Sequence, residues 1–537
     1  MPEEKKPTGS GGMKKQLTVG DLIATHELYD QNESEWTFLT AVYEGIREII
    51  RHDLIERHER EPIIAYQRRI KELFSFGYSK SVVEIFHFFL FKKEPTHKLG
   101  KLLEDKRWKL FQEDANLYGM DYNATIMEIA LWAAIQGHMG ILVDKANAGF
   151  QTVEQQVNAK VYPYLAKYHP KAILDWQWER DEYNRPYLSY LKLEDDDGQY
   201  RIWEPDHWEI WELPEDKDGN PDKSSEGADA VFIDAGPNPI GIIPFIWFYN
   251  QRSKKANIGN SDIHEVTRID LSIIRSMSQI EETIYFAAFP MMRKPMRDAK
   301  PTEINSPQQD DEVSVQTVLE FDPEHPESKP DWLDSAVAEP VQATLSTVNK
   351  KIEEIYRAAN IGGMAATEPS KYQQSGVAKR IDFQLLNSKM VSKAINLEDA
   401  ENKILELWCR WENLWDHYKN ESKMGRAKTF DIEELSTTLD DALTAKTVVI
   451  SNRFNELLQK QVARQVLPTA TEQQMVDIDK EIEANVQRET PTGENIPDID
   501  NPDLKPGDRD IVNSGTSPEE TPTASDKTGQ VQQGGEE

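Results

Sequence analysis

The chain has 537 residues, 38% of them hydrophobic, with 13 Trp, 18 Tyr and 18 Phe, enough apolar side chain for a sizeable core divided among roughly two to four domains. It carries 94 acidic residues against 62 basic, a net charge of -32; such a surface repels phosphate and gives no counterion-release term for static binding to nucleic acid. A single cysteine, Cys409, excludes an internal disulfide framework and a thiolate zinc cluster. No stretch reaches the ~20 apolar residues of a membrane span, so a soluble intracellular protein is expected.

Residues 1–15 lack aromatics and include Gly9, Gly11 and Gly12, which predicts a disordered leader. From about residue 19 to 150 the pattern is helical: Trp36, Phe38 and Leu39 are followed by Ile46, Ile49 and Ile50 at amphipathic spacing. A further helix is expected over Ile126 to Ile141, its apolar run closing at Gly137, with a short buried strand at Gly140 to Asp144. Residues 160–250 change character. Tyr187 to Leu193, Tyr200 to Trp203, Trp208 to Leu213 and Ala230 to Ile233 alternate as strands, with turns at Asp197-Gly198 and Asp218-Gly219-Asn220. They predict an antiparallel sheet closed by the apolar strand Ile242 to Tyr249.

A helix of about 25 residues then starts at Asp262, with Val266, Ile269, Ile273, Met277, Ile280 and Ile284 on one stripe, and Pro290 and Pro295 stop it. The proline-rich stretch 290–335 holds one expected strand, Glu312 to Phe321. From Glu339, the positions Val341, Leu345, Val348, Ile352 and Ile355 alternate by four and three, a coiled-coil-like seam. Gly362-Gly363 ends that helix. The segment 361–376 is small and polar, and a helix from Ser375 to Tyr418 is expected to run about 65 Å. A β-like segment at Thr447 to Ile450 and a polar helical stretch over 453–488 precede a tail, 491–537, with eleven acids, three bases and no aromatic residue, which predicts disorder.

The search for chemistry returns little. No phosphate loop, GxSxG or HExxH pattern occurs, and the histidines show no ligand spacing, so neither a metal nor a cofactor is expected. Asp216, Asp218 and Asn220 echo a calcium loop, but Pro221 stands where the turn needs Gly, and a solvated hairpin turn is the better description. Trp176, Trp178, Trp203, Trp208 and Trp211 suit sheet packing better than a sugar-stacking face. Cys409 beside Trp408 has the surroundings of a buried small hydrophobe.

What distinguishes the chain is an order of parts. A mixed region ends in Gly236-Pro-Asn-Pro-Ile-Gly-Ile-Ile-Pro-Phe245, Gly259-Asn-Ser-Asp262 opens a long helix, and a proline-bounded insert precedes a return helix. A glycine-rich loop and a helix beginning Ser375-Gly-Val-Ala-Lys-Arg380 follow. Together with Tyr66-Gln-Arg-Arg, Gly77-Tyr-Ser-Lys, Asp114-Ala-Asn and Gly140-Ile-Leu-Val-Asp, this order resembles the portal, or head-to-tail connector, family of tailed bacteriophages over roughly residues 60–425.

The resemblance implies an α+β, predominantly helical, ring-forming portal fold. Residues 16–260 and the long helix 377–429 would form the wing, 261–289 and 336–360 two stem helices, 290–335 the clip, 361–376 a tunnel loop and 430–490 the crown. It implies a non-enzymatic protein in a ring of 12 copies at one capsid vertex, assembled in the host cytoplasm. Double-stranded DNA would pass through that ring during packaging and ejection. Partners would be the terminase large subunit, a head-tail adaptor, and major capsid and scaffolding proteins, with no membrane. Lys371, Tyr372, Lys379 and Arg380 are candidates for touching DNA in or beside the tunnel loop. Arg293, Lys294, Arg297 and Lys300 form a basic cluster entering the clip, suited to DNA or to an acidic partner. Val341, Leu345, Val348, Ile352 and Ile355 would pack the stem. Two other readings stay open: a coiled-coil scaffold that handles no DNA, and a carbohydrate-active enzyme built on the tryptophan-rich sheet.

Overall fold

The computed structural model describes residues 16–288 apart from 147, 148, 151 and 197, the pairs 292–293 and 331–332, residues 337–361, and 376–430 apart from 429. Beyond these it describes a few positions between 456 and 463 and the helix at 472–488. The chain divides into one unit up to Asp431 and a second from Ile432.

The first unit opens with short helices, α1 Val19–Ile23, α2 Glu27–Asp30, α3 Glu33–Glu44 and α4 Ile46–Arg51. The expected run from Trp36 to Ile50 is broken between α3 and α4 at Gly45, whose φ of 97° turns the chain where a side chain would be strained. Next come α5 Ile63–Lys71, α6 Tyr78–Phe91, α7 Lys106–Glu113 and α8 Tyr122–Gln136. Helix α8 stops at Gly137, φ 95°, and β1 His138–Asp144 starts at once, so the expected helix to Ile141 is five residues too long. Strand β1 is buried along almost its whole length, as a strand covered on both faces must be.

After α9 Val153–Asn158 and β2 Tyr164–Tyr168, a meander of β3 Ile173–Arg180, β4 Pro186–Asp196, β5 Gln199–Trp203, β6 His207–Glu212 and β7 Val231–Pro237 forms a five-stranded antiparallel sheet in sequence order. Strand β8, Phe245–Tyr249, does not close that sheet as expected. It pairs antiparallel with β1, Gly140 opposite Trp247, in a separate three-stranded sheet of order β2-β1-β8. Continuous apolar character marks a buried strand but carries no information about its partner. Gly140 is required here because a Cβ would lie 2.3 Å from the Phe245 ring.

The two sheets share one core, in which Leu142, Phe245 and Trp247 meet Trp176, Leu191, Trp203 and Trp211. Arg201 on β5 pins them together by reaching Asp195 and Asp144, each at 2.8 Å. Of the five tryptophans that could have made a sugar platform, Trp176, Trp203 and Trp211 are buried.

The long helices are α10 His264–Ala288, α11 Ala338–Ala358 and α12 Gly376–Trp411. The last ends at Trp411, short of Tyr418, and the one-turn α13 Trp415–Tyr418 follows separately. Buried Leu397, Ile404 and Trp408 of α12 join a core with Trp108, Phe111, Ile129 and Met139. Cys409 is fully buried there, and its thiol is pushed up to about 12 by burial. Between α10 and α11 the two-residue strands β9 Met292–Arg293 and β10 Asp331–Trp332 pair antiparallel, bringing the ends of the 290–335 insert together. The second unit contains the helix α14, Glu472–Arg488.

Candidate functional site

The hairpin of α10 and α11 is the feature to which the order of parts pointed, and the two helices play unequal roles. Along α10 one side chain after another is held by the helical region around it. At its entrance Asp262 is buried and receives Lys393 of α12, with Lys389 at 3.3 Å and Lys393 also donating to Asn250. Burial alone would raise the Asp262 carboxyl, but the two lysines hold it below the usual carboxylate range.

Further along, Arg268 reaches Glu35 at 2.7 Å, and Arg275 donates to the Leu54 carbonyl at 2.6 Å. Asp270 accepts from the Ser79 amide at 2.8 Å and its hydroxyl at 2.7 Å, in the first turn of α6. Burial raises the Asp270 carboxyl. From α5, Arg69 donates to Ser278 and pairs with Glu61, while Arg68 pairs with Glu282 and lies over the Tyr285 ring.

Helix α11 packs chiefly on α10. Lys351 crosses between them, its ammonium donating to the hydroxyls of Ser272 at 2.9 Å and Ser276 at 3.0 Å, and burial lowers its pKa. The apolar seam is half filled. Val348 and Ile355 are buried, whereas Val341, Leu345 and Ile352 are only partly covered. On α10 the same division recurs: Val266, Ile273 and Ile280 are buried, Ile269 and Met277 partly, and Ile284 is 45% exposed. The outward face of α11 carries Gln342, Ala343, Ser346, Thr347, Asn349, Lys350, Glu353 and Arg357. The two helices together hold seven acids and five bases, a net of -2 in a chain of net -32.

Arg293 lies on β9 with its backbone opposite Asp331. Lys379 and Arg380 lie in the first turn or so of α12, and only their backbone is described. Lys294, Arg297, Lys300, Lys371 and Tyr372 lie outside the described residues, as do the expected strands at 312–321 and 447–450. Residues Asp216 to Asn220 form a turn in which the Asp216 carboxylate accepts from the amides of Asp218 and Asn220. The clamps on α10 were missed. Arg68, Arg69, Ser79 and Asp262 stood inside the quoted motifs, but nothing local in sequence points to partners more than a hundred residues away.

No family model matches the chain, and no curated protein does. Among solved structures it is similar to a chain of the virion of a native gene transfer agent particle, with a TM-score of 0.40 and 9% identity over 79% of this chain and 98% of that one. It is also similar to a chain of the neck of that native particle computed with C12 symmetry, with a TM-score of 0.38 and 11% identity over 75% of this chain and 94% of that one. A chain from the neck of the empty particle computed with C6 symmetry gives a TM-score of 0.38 and 10% identity, covering 76% and 96%. Among the described residues, no helix is long and apolar enough to cross a membrane.

Proposed function

We propose that the chain is a structural subunit of a portal-type ring, twelvefold at one capsid vertex, through which double-stranded DNA is packaged and ejected. The half-open seam of the α10–α11 hairpin carries this reading. In a single chain, Leu345, Ile352 and Ile284 keep apolar surface uncovered on a hairpin whose other side is fastened by Asp262, Asp270 and Arg275. A head-to-tail interface that closes into a ring supplies the missing cover, the next hairpin lying beside each one. The polar, nearly neutral outer face of α11 suits a channel wall: it offers duplex phosphates little to adhere to, and the acidic remainder of the chain repels them.

In this assignment α10 and α11 are the stem, the insert whose ends meet at β9 and β10 is the clip, and the helical and sheet regions with α12 are the wing. The protein does no chemistry; force comes from a terminase motor, and the clip docks that motor and later a head-tail adaptor. Residues 361–376, with Lys371 and Tyr372, are the tunnel loop of this reading, and together with Lys379 and Arg380 beside it at the start of α12 they meet the DNA.

The direct test is Ile352→Asp, which puts a charge on the half-open seam. Loss of the large sedimenting species with retained helical content is expected; unchanged sedimentation contradicts the stem assignment. Deleting residues 364–374 should leave the assembly intact and impair DNA packaging or retention, and normal packaging would remove the loop's role.

A further inference from the structure

The hairpin of β5 and β6 turns through Glu204, Pro205 and Asp206, and hydrogen bonds hold that turn from two sides. Glu204 N donates to His207 O at 2.9 Å, and the buried Asn238 donates its backbone N–H to Asp206 O at 2.8 Å. Pro205 fixes one φ within the loop. The side chains of the turn are therefore presented from a set backbone.

Three of them converge. One oxygen of Glu204, one oxygen of Asp206 and one ring nitrogen of His207 all lie within 4.8 Å of one another. His207 Nδ1 is 2.8 Å from Asp206 Oδ1 and 3.9 Å from Glu204 Oε2. The opposite ring nitrogen, Nε2, faces Glu209 Oε1 at 3.7 Å, two residues along the same face of β6. Glu209 is held in turn by the core, its other oxygen accepting from Nε1 of the buried Trp211 at 2.9 Å.

The imidazole thus stands between carboxylates on both sides, and its tautomer decides what it can do. With the N–H on Nε2, towards Glu209, the Nδ1 lone pair points at Asp206 and Glu204. Acceptor then meets acceptors, and a cation has to stand between them. A carboxylate behind the far nitrogen also fixes that tautomer in metal-bound histidines and makes the near nitrogen a stronger ligand.

We propose that Glu204, Asp206 and His207 Nδ1 bind a divalent metal ion of the zinc type, with Glu209 orienting the imidazole. The donor set decides the class of ion. An imidazole nitrogen suits zinc and its first-row neighbours, whereas calcium and magnesium take oxygen ligands. Three protein ligands leave one position of a tetrahedral ion to water or to a partner's side chain. The ion ties the end of β5 to the start of β6, and it stabilises the hairpin because the folded chain brings the three ligands together. The spacing of the histidines carries no sign of this site, since the other two ligands are among 94 acids.

Titration of the untagged, chelator-treated full-length protein with Co²⁺ tests this, with visible absorption reporting the coordination of the ion and Zn²⁺ added afterwards to displace it. The unaltered chain is compared with His207→Ala, Glu204→Gln and Glu209→Gln; the last keeps an acceptor for Trp211. The expected result is one saturable equivalent in the unaltered chain, displaced by Zn²⁺ and lost in His207→Ala and Glu204→Gln. Glu209→Gln should bind about tenfold more weakly or worse. The Glu204→Gln variant keeps the result readable if removing the imidazole disturbs the turn, and circular dichroism checks both. A titration curve unchanged in both His207→Ala and Glu204→Gln overturns the proposal, because the ion would then sit on other side chains. Absence of any uptake by the unaltered chain also overturns it, a proton on Nδ1 then being the cation between the carboxylates.

Discussion

Gly137 and Gly259 face each other so closely that neither position accepts a side chain. A Cβ on Gly137 would lie 2.4 Å from the Gly259 carbonyl oxygen, and one on Gly259 would lie 2.0 Å from the Gly137 oxygen. This crossing seats the end of α8 against the segment that leads into α10, and Asn250 N closes it by donating to Gly137 O at 3.0 Å. The direction in which α10 leaves the helical and sheet regions before it is set here.

Gly259→Ala is therefore expected to destabilise the first unit by about 3 kcal/mol, the upper end of ordinary overpacking, because backbone rather than a side chain must move. Gly227→Ala is the matched control, since nothing lies within 4 Å of its Cβ position, and it should stay within about 0.5 kcal/mol. Urea unfolding monitored by tryptophan fluorescence measures both. Equal midpoints would show that the crossing relaxes freely.

The Asp262–Lys393 pair should behave as one unit. Lys393→Met leaves the buried Asp262 with Lys389 as its remaining cation, beside the Gln251 amide, and a cost near 3 kcal/mol is expected, the low end for breaking a buried pair. Adding Asp262→Asn should recover much of it, and a double-mutant cycle in denaturant gives the coupling. Strict additivity would mean that the two side chains do not share a buried site.

Acid sensitivity is expected from His138, which is buried at the start of β1 and packs edge-on against Trp36. Burial pushes its imidazole down to about 3, and Gly259 N–H donates to its Nδ1, a contact that protonation of Nδ1 would abolish. With the folded pKa below the unfolded one, the stabilisation is complete above the unfolded value near 6.5 and is lost as pH falls from there towards 3. The slope attributable to this residue is about 1.4 kcal/mol per pH unit. His138→Gln should flatten stability between pH 6 and 4; an unchanged slope would assign the acid response to other groups.

Much of this architecture could be read from the chain because it is written in local periodicity. The three- and four-residue stripe from Val266 to Ile284 gave a helix from Asp262 whose observed span is His264–Ala288, and Val341 to Ile355 lie on α11. Pairing across the fold was not legible. Phe245–Tyr249 has the composition of a buried strand whichever sheet takes it. Arg68 and Arg69 look like solvated helix charges until Glu282 and Ser278 are placed beside them. Neither did the seam distinguish Val348, buried inside one chain, from Leu345, which is half open. That difference depends on which face α10 already covers.

The most direct measurement on the central claim is the size and shape of the purified full-length protein in negative-stain images, with its mass taken in parallel by native mass spectrometry. The account predicts closed rings with a central hole and a mass of twelve chains of 61.7 kDa. Monomers or simple dimers at the same concentration would contradict it.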